Sequence, residues 1–352
     1  MRLTIIALFG LTLTFCKPKD RVVAHDFSKV DIEVILKDSF SIRAIAVYYD
    51  TLLGFGFNKG YGFINLKTHK THIINFEKAD PNEIKSNEIA EQRAVSFADN
   101  SFFSLGIGSP VRLRKINFDN KEERIVYTED HKKAFYDSLT FWNDSEGIAM
   151  GDPTDDCLSI IITRDGGDRW EKVSCVNLPK TIEGEAAFAA SNGNIAIVDD
   201  HTWIISGGMK SRVFYSPDKG RNWEVFETPI VQGSSTTGGY SIDFYDKENG
   251  IIYGGDYTKP ESNLANKAIT TDGGRSWRLI KDGSDYKSCV RYVPNGGSKE
   301  IVAIGFTGIS ISNDYGQHWR ELSKESFYTL RFINDSTAIA AGKGRVARLS
   351  FK

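Results

Sequence analysis

The sequence predicts an all-β fold built from repeated four-stranded units. Four short segments share the pattern Ser/Thr-x-Asp-x-Gly-x-x-Trp, at residues 163–170, 216–223, 270–277 and 312–319. Each lies between two apolar runs, and such runs joined by a short Asp/Gly turn indicate a β-hairpin. Four strands in each unit of roughly forty to fifty residues are typical of β-propellers. We therefore expect a single seven-bladed β-propeller with four-stranded blades.

The recurring residues of these segments have the chemistry of a stabilised turn. The Asp carboxylates can accept hydrogen bonds from backbone N–H groups of their own turns, and the Gly residues can adopt positive φ. The Trp side chains can pack between neighbouring units. Metal binding by the four Asp residues is disfavoured, since one carboxylate on each of four separate turns does not converge on one ion. The recurring Asp and Trp residues are Asp165, Trp170, Asp218, Trp223, Asp272, Trp277, Asp314 and Trp319.

Seven units can be counted from their first strands. These begin near residues 42, 93, 138, 186, 241, 289 and 329. The last unit has only three strands before the chain ends, so we expect residues 30–36 to supply its fourth strand. That pairing closes the ring and covers the sheet edges that a gap would leave exposed. Residues 29–352 are therefore predicted to form one propeller domain.

The first fifteen residues have the features of a signal peptide. Arg2 precedes an apolar run over residues 3–15 that is too short to span a bilayer. The run ends in Leu13-Thr14-Phe15-Cys16, which resembles a lipoprotein signal box, so we expect cleavage before Cys16, lipid attachment to it and a tether over residues 16–28. The alternative is an ordinary secretory peptide with an incidental Cys. Both interpretations predict export, and the first predicts a lipid anchor in the periplasm or outer membrane of a bacterium.

Export makes a disulfide between Cys157 and Cys175 a reasonable expectation. The two residues flank the hairpin turn at 164–168, and if Ile162 faces Trp170 they stand opposite each other on antiparallel strands. Directly opposed residues can reach disulfide geometry. The alternative is a pair of buried free thiols, which are common in β-sheet cores. Cys289 has no evident partner.

Charge and motif content exclude several classes of function. The chain has 44 Lys and Arg against 46 Asp and Glu, a formal charge of −2 and no long basic run, which argues against nucleic-acid binding. Its six His residues show no paired spacing, and GDPTDD (151–156) lacks the remaining acidic positions of a calcium loop. No Gly-rich nucleotide cradle follows a strand and opens a helix. We therefore expect a monomer without a metal or a cofactor.

A candidate site is expected at the mouth of the central channel, because first strands line the channel of a propeller. Arginines there can bind an acidic group through their fork-shaped guanidiniums, and concave surfaces are the usual binding places. The alternative is that neighbouring Arg, Asp and Glu side chains neutralise one another and make the mouth rigid. The predicted mouth residues are Arg43, Arg93, Asp137, Glu185 and Tyr240 from first strands, and Asp152, Arg212 and Asp256 from loops between second and third strands.

The four repeated segments resemble the Asp-box, or bacterial neuraminidase repeat. This repeat occurs in sialidases, some endoglucanases, sortilin-type receptors and photosystem II assembly factors. The resemblance to sialidases implies a glycoside hydrolase as the alternative function, with Arg43 joined by Arg93, Arg212 and Arg291 in a cluster. However, the sequence contains no Arg-Ile-Pro signature, and a Tyr nucleophile with its Glu partner cannot be assigned.

A closer resemblance is to the photosystem II stability/assembly-factor-like family of single seven-bladed propellers, and it covers nearly the whole mature chain. It rests on SIRAIAV (41–47), FWNDSEGIAMGDP (141–153), GEAAFAAS (184–191), SGGMKSRVFYSPDKGRNW (206–223), YSIDFYDKENGIIYGGDYTKP (240–260) and AIAAGKGRVARL (338–349). Some bacterial members are labelled oxidoreductase without an evident cofactor site. Photosynthetic members resemble assembly chaperones that bind partner proteins through an Arg-rich face. The resemblance implies a non-catalytic module that binds an envelope protein, or a small acidic or glycan ligand, at its polar mouth.

Overall fold

The computed structural model of the protein describes residues 25–78 and 90–352. These residues form 28 β-strands and two short 3-10 turns, Phe76–Lys78 and Cys175–Asn177. No helix within these two ranges has the length and apolar character needed to cross a bilayer. The predicted signal peptide, Cys16 and most of the tether lie outside the described residues.

Four sheets have four antiparallel strands each. The first is β5 (Gln92–Ala98), β6 (Ser101–Gly106), β7 (Val111–Asn117) and β8 (Glu123–Glu129). The second is β9 (Tyr136–Phe141), β10 (Gly147–Gly151), β11 (Ser159–Thr163) and β12 (Glu171–Lys172). The third is β14 (Ile195–Val198), β15 (His201–Ile205), β17 (Arg212–Ser216) and β18 (Glu224–Glu227). The fourth is β23 (Cys289–Tyr292), β24 (Ile301–Gly305), β25 (Gly308–Ser312) and β26 (Arg320–Ser323).

Two further sheets have six strands each. One contains, in spatial order, β27 (Thr329–Phe332), β28 (Thr337–Phe351), β1 (Val30–Tyr48), β2 (Leu52–Phe57), β3 (Gly60–Asn65) and β4 (Thr71–Asn75). The other contains β13 (Glu185–Ala186), β16 (Gly207–Gly208), β19 (Thr237–Phe244), β20 (Gly250–Asp256), β21 (Lys267–Thr270) and β22 (Arg278–Leu279).

The described residues therefore form six hydrogen-bonded sheets, whereas the sequence predicts seven blades. The difference arises at β1, which is continuous but has different partners along its length. Its first part pairs with β28, from Val30 opposite Phe351 to Leu36 opposite Val346. Its second part pairs with β2, from Ile42 opposite Phe57 to Tyr48 opposite Leu52. One strand thus joins the beginning and the end of the chain in a single sheet.

The first strands of successive units lie side by side around a common axis. The second part of β1 is next to β5, and the series continues through β9, β14, β19, β23 and β27. Strand β27 in turn lies next to β1, so the series closes. We refer to these seven as the inner strands. Residues far apart in the sequence are thereby brought around one channel.

The hydrophobic core lies between neighbouring sets of strands, where a set is one inner strand together with the strands that follow it in its unit. Seven buried clusters each combine side chains from two adjacent sets. In one of them Phe103 of β6 and Ile161 of β11 pack with Trp170. Burial of apolar area at about 25 cal/mol per Å² therefore stabilises the contacts between the sets, and no set is stable alone.

The four repeated segments form the predicted stabilised turns. In each, the Asp carboxylate accepts a hydrogen bond from the backbone N–H four residues later, at 2.8–3.0 Å. The Ser or Thr hydroxyl that opens the segment accepts the N–H of the Gly, at 2.8–3.0 Å. Each Gly has a φ between 78° and 85°, in the left-handed region that favours glycine. We refer to these segments as the repeat turns.

The Trp residues of the repeat turns pack as expected but not identically. The indole N–H groups of Trp223, Trp277 and Trp319 donate to the carbonyl three residues earlier, at 3.0–3.1 Å. The indole nitrogen of Trp170 is buried and has no hydrogen-bond partner among the described residues. Its ring instead packs edge-on against Phe141, with centroids 5.6 Å apart.

Cys157 and Cys175 form a disulfide, with their Cα atoms 5.5 Å apart. The strand pairing differs from the predicted register, because Ile162 faces Glu171 instead of Trp170. Strand β12 ends at Lys172, and Cys175 begins a 3-10 turn that brings it to Cys157. The side chain of Cys289 is buried and free.

Candidate functional site

Residues 187–194, which we name the channel segment, cross the space inside the ring of inner strands. The side chain of Asn192 donates to the carbonyl of Val95 at 2.8 Å and accepts the N–H of Leu139 at 2.9 Å. The carbonyl of Gly193 accepts the N–H of Ile242 at 2.9 Å. The segment is therefore hydrogen-bonded to β5, β9 and β19 before it enters β14.

Two side chains on β27 hold the same segment from the far side of the ring. The Thr329 hydroxyl donates to the carbonyl of Ser191 at 2.8 Å. The Arg331 guanidinium donates to the carbonyl of Asn192 at 2.7 Å. The channel is thus divided into two compartments, one at the mouth, where inner strands begin, and one at the opposite end. The repeat turns lie at that opposite end, since Gly166 donates to Ser145 in the turn that follows β9.

The channel segment was not predicted from the sequence. A signal is nevertheless present. In the other six units the mouth position precedes the turn after the inner strand by six residues, as Asp137 precedes Asn143. Asp199 begins the turn after β14, and counting back six residues from it gives Gly193, whereas Glu185 stands fourteen residues before it. The extra residues are the channel segment.

The predicted mouth position Glu185 is therefore wrong, and Gly193 takes its place. Glu185 lies on the short strand β13, where its side chain is fully buried. Its carboxylate accepts the Arg212 Nε–H at 3.1 Å and the Ser206 hydroxyl at 2.6 Å. Arg212 also donates to the carbonyl of Lys180 at 2.8 Å. These two predicted site residues neutralise each other inside the protein and are not available to a ligand.

Arg43 and Arg93 do lie close together at the mouth. The Arg43 guanidinium lies over the Tyr328 ring, 4.1 Å from its centroid. Burial and then the neighbouring Arg93 lower the pKa of Arg43. Arg93 donates to the carbonyl of Ala189 at 2.7 Å and to the Glu91 carboxylate at 2.8 Å. Arg93 thus fixes the channel segment, while Arg43 is held mainly by an aromatic face.

Asp137 and Asp152 lie beneath the channel segment. Asp137 has no exposed surface, and neither carboxylate oxygen has a hydrogen-bond partner among the described residues. Burial, followed by the charge of Asp152, raises the pKa of Asp137 well above its usual value. Asp152 accepts the N–H of Ala187 at 2.8 Å, and burial raises its pKa to about 6. Asp137 is therefore covered, and Asp152 is partly buried.

Tyr240 and Asp256 occupy the predicted side of the ring. The Tyr240 ring stacks on Phe188 of the channel segment with centroids 3.9 Å apart, and its hydroxyl donates to the carbonyl of Thr236 at 2.8 Å. Asp256 accepts the hydroxyl and the N–H of Thr258 in its own loop, at 2.6 and 3.0 Å. Burial opposes ionisation of Asp256, but hydrogen bonds donated by Thr258 outweigh it and lower the pKa of this carboxyl group.

Aromatic side chains pack together at the mouth, and the predicted site includes only one of them, Tyr240. From Tyr240, ring contacts extend to Tyr286 at 5.0 Å and from Tyr286 to Phe306 at 5.1 Å. Tyr257 meets Tyr240 edge-on at 6.4 Å and is 47% exposed. We name as the mouth surface the partly or largely exposed residues Arg43, Phe188, Tyr257, Phe306 and Tyr328.

Apolar side chains continue outward from this surface. Ile182, Met209 and Leu264 are 50%, 48% and 69% exposed. The backbone N–H of Met209 donates to the carbonyl of Gly184, which places Met209 beside the chain that leads into the channel segment. Exposed apolar side chains clustered around a polar mouth are typical of interaction sites.

The arginine cluster expected for a sialidase-like enzyme does not form from the predicted residues. Arg43 and Arg93 lie at the mouth, whereas Arg212 forms a buried ion pair with Glu185. Arg291 lines the compartment at the opposite end, beyond the channel segment. Within residues 25–78 and 90–352 no group of three or more His, Cys, Asp or Glu side chains is arranged to hold a metal ion.

Comparisons with known proteins bear on the fold. Neither a family model nor a curated protein matches the sequence. The solved structure of YCF48 bound to D1 peptide superposes with a TM-score of 0.63 over 94% of this chain and 99% of that chain. The chain folds as a β-propeller. Sequence identity to YCF48 is 12%, so the likeness concerns the propeller architecture alone.

Proposed function

We propose that this propeller is a non-catalytic module that binds a partner protein through the mouth surface. The observation that carries the proposal is the unbroken series of ring contacts from Phe188 to Phe306 beside Arg43. Tyr, Phe and Arg side chains are the types that contribute most binding energy at protein interfaces. The channel segment supports the same face, because its hydrogen bonds to the inner strands hold Phe188 in place.

Arg43 is suited to recognise an acidic or carbonyl group of the partner. Its Nε is buried without a hydrogen-bond partner among the described residues, and its guanidinium lies against Tyr328. A guanidinium stacked on a ring keeps its in-plane donors available for a carboxylate. The peptide bound to the structurally similar YCF48 is consistent with protein binding by this fold.

We also propose that the ring is a seven-bladed Asp-box propeller closed by its N-terminal strand. Support comes from the seven inner strands, the seven clusters between neighbouring sets, and the pairing of β1 with both β28 and β2. In this interpretation the six-stranded sheet that contains β1 and β28 comprises two blades. The N–H of Phe351, which donates to the carbonyl of Ser336, supports a hairpin within β28.

The proposed location is the bacterial cell envelope, with the monomeric chain anchored by a lipid on Cys16. The sequence of residues 1–16 is the basis, and the disulfide of Cys157 with Cys175 is consistent with an oxidising compartment. Radiolabelled palmitate should be incorporated by the wild-type protein and not by Cys16→Ala in the native host. Equal labelling of both proteins, or labelling of neither, would contradict the anchor.

Crosslinking in native envelopes tests the binding proposal. Tagged wild-type protein is compared with Phe188→Ala and Arg43→Gln, and with Ile125→Ala as a control on the outer strand β8. We expect a specific partner to be recovered by wild type and control, with more than a tenfold loss in both mouth variants, as for interface residues of high binding energy. Recovery of the same partner by all four proteins would contradict the proposal. Retained solubility and thermal unfolding confirm that the variants fold.

A further inference from the structure

A second compartment lies on the other side of the channel segment and opens towards the repeat turns. Its volume is about 670 Å³, within the range of small-molecule sites. Each inner strand contributes the residue three positions after its mouth position. These seven equivalent residues are Ala46, Ser96, Thr140, Ala196, Asp243, Arg291 and Arg331.

The charged residues of this ring lie on three neighbouring inner strands, β19, β23 and β27. Arg291 donates to Asp243 at 3.3 Å, and Asp243 accepts the N–H of Tyr292 at 2.7 Å. With Arg331, the group has two guanidiniums and one carboxylate. Asp199 also lines the cavity, but it is more exposed and its charge is paired with Lys247 at 2.9 Å. The floor of the cavity therefore has a net positive charge.

The two arginines differ in which of their guanidinium nitrogens are hydrogen-bonded. The terminal nitrogens of Arg331 are engaged by Leu330, Asn192 and other groups of the channel wall. Arg291 uses one terminal nitrogen for Ile242 and Asp243, at 3.2 and 3.3 Å. Its Nε and second terminal nitrogen have no hydrogen-bond partner in the described part of the chain. These two N–H groups form the edge of a guanidinium that can bind a carboxylate with two hydrogen bonds.

The opposite half of the cavity is uncharged. Ala46, Ser96, Thr140 and Ala196 occupy the equivalent positions there, and the wall is continued by aromatic rings. The aromatic residues that line the cavity are Phe97, Phe141, Trp142 and Phe332. A cavity with one cationic side and one aromatic side matches an amphipathic anion. Asp243 disfavours a dianion such as phosphate, because a second negative charge would be repelled.

We propose that this cavity binds a small aromatic monocarboxylate, with its carboxylate on Arg291 and its ring against the aromatic wall. The site is separate from the mouth surface, since the channel segment lies between them. Neither proposal depends on the other. A ligand at this site would be free to bind while a partner protein occupies the mouth.

Calorimetric titration of the mature chain tests this proposal. The probes are 3-phenylpropionate, its uncharged amide and inorganic phosphate. We expect the carboxylate to bind at least tenfold more tightly than either of the other probes. Arg291→Gln should weaken carboxylate binding at least tenfold, while Arg43→Gln, on the other side of the channel segment, should leave it unchanged. Ala46→Phe should abolish binding by filling the uncharged half of the cavity while preserving every charge.

Several results would overturn the proposal. These are no heat of binding with 3-phenylpropionate at millimolar concentration, equal affinity for the amide, or tighter binding of phosphate. Unchanged affinity in Ala46→Phe would place any bound carboxylate elsewhere. That variant also decides the question if Arg291→Gln does not fold, because Ala46 makes no polar contact that the substitution removes.

Discussion

The side chain of Asn192 donates a hydrogen bond to the carbonyl of Val95, a residue 97 positions earlier in the chain. Its oxygen accepts the N–H of Leu139, so one buried amide joins the channel segment to two inner strands. Asn192→Ala would leave both backbone groups unpaired in a buried site. We expect a loss of about 2–4 kcal/mol in the free energy of unfolding, measured by urea denaturation.

Asn222→Ala is the matched control for this prediction. Asn222 is exposed in a repeat turn, where its side chain donates a hydrogen bond to Asp218. Its removal should cost no more than about 1 kcal/mol. Equal effects of the two substitutions would mean that the channel segment contributes little to closing the ring.

The raised pKa of Asp152 predicts a pH-dependent stability. Its pKa rises from 3.8 to about 6 on folding, so its favourable contribution is complete below about pH 4 and is lost as the pH rises through 6. Asp152→Asn cannot ionise, and its amide oxygen can still accept the N–H of Ala187. We expect the variant to be about 1–3 kcal/mol more stable than wild type at pH 7.5, with most of the difference gone at pH 4.

Asp156→Asn provides the control for the pH experiment. Asp156 is exposed, and a hydrogen bond from Lys180 lowers its pKa. Removal of its charge should bring no gain in stability at pH 7.5. A similar gain in both variants would trace the effect to overall charge and not to burial of Asp152.

The repeat-turn carboxylates are expected to stabilise turns without binding metal. Asp272 accepts the N–H of Ser276 at 2.9 Å and the hydroxyl of Thr270 at 2.7 Å. Asp272→Ala should lower the free energy of unfolding by about 1–2 kcal/mol. Millimolar calcium should leave the melting temperature of the wild-type protein unchanged. A calcium-dependent rise that Asp272→Ala abolishes would show that the turn is a metal site.

The disulfide is expected to stabilise the third unit by restricting the unfolded chain. Cys157 and Cys175 are separated by 18 residues, and closing a loop of this length is worth about 3 kcal/mol. A reductant should lower the stability of wild type and have no effect on a protein with Cys157→Ala and Cys175→Ala. If both cysteines react with an alkylating agent in the native protein, the bond is absent.

The sequence predicts the repeated parts of the fold well because each repeat carries its own local signals. Alternating apolar residues and Asp/Gly turns identify most inner strands and all four repeat turns without knowledge of the rest of the chain. Arg43, Arg93, Asp137 and Tyr240 lie at equivalent positions of their inner strands, since the spacing between such a residue and the next turn is constant. Glu185 fails because the channel segment is inserted within that spacing.

The site itself depends on contacts that no local signal records. The pairing of Glu185 with Arg212, the cover over Asp137 and the stacking of Phe188 on Tyr240 arise only when the ring closes. The ring of Asp243, Arg291 and Arg331 also becomes visible only when equivalent positions are compared around a common axis. Residue types alone therefore predicted a charged mouth, whereas packing produces an aromatic one.

Hydrogen–deuterium exchange of the purified complex with its envelope partner shows whether the mouth surface is the interface. We expect the partner to slow exchange at residues 184–189, 255–259 and 326–329, which surround the mouth surface. Exchange at the four repeat turns should be unchanged. Protection confined to the repeat turns, with none at the mouth, would contradict binding through the mouth surface.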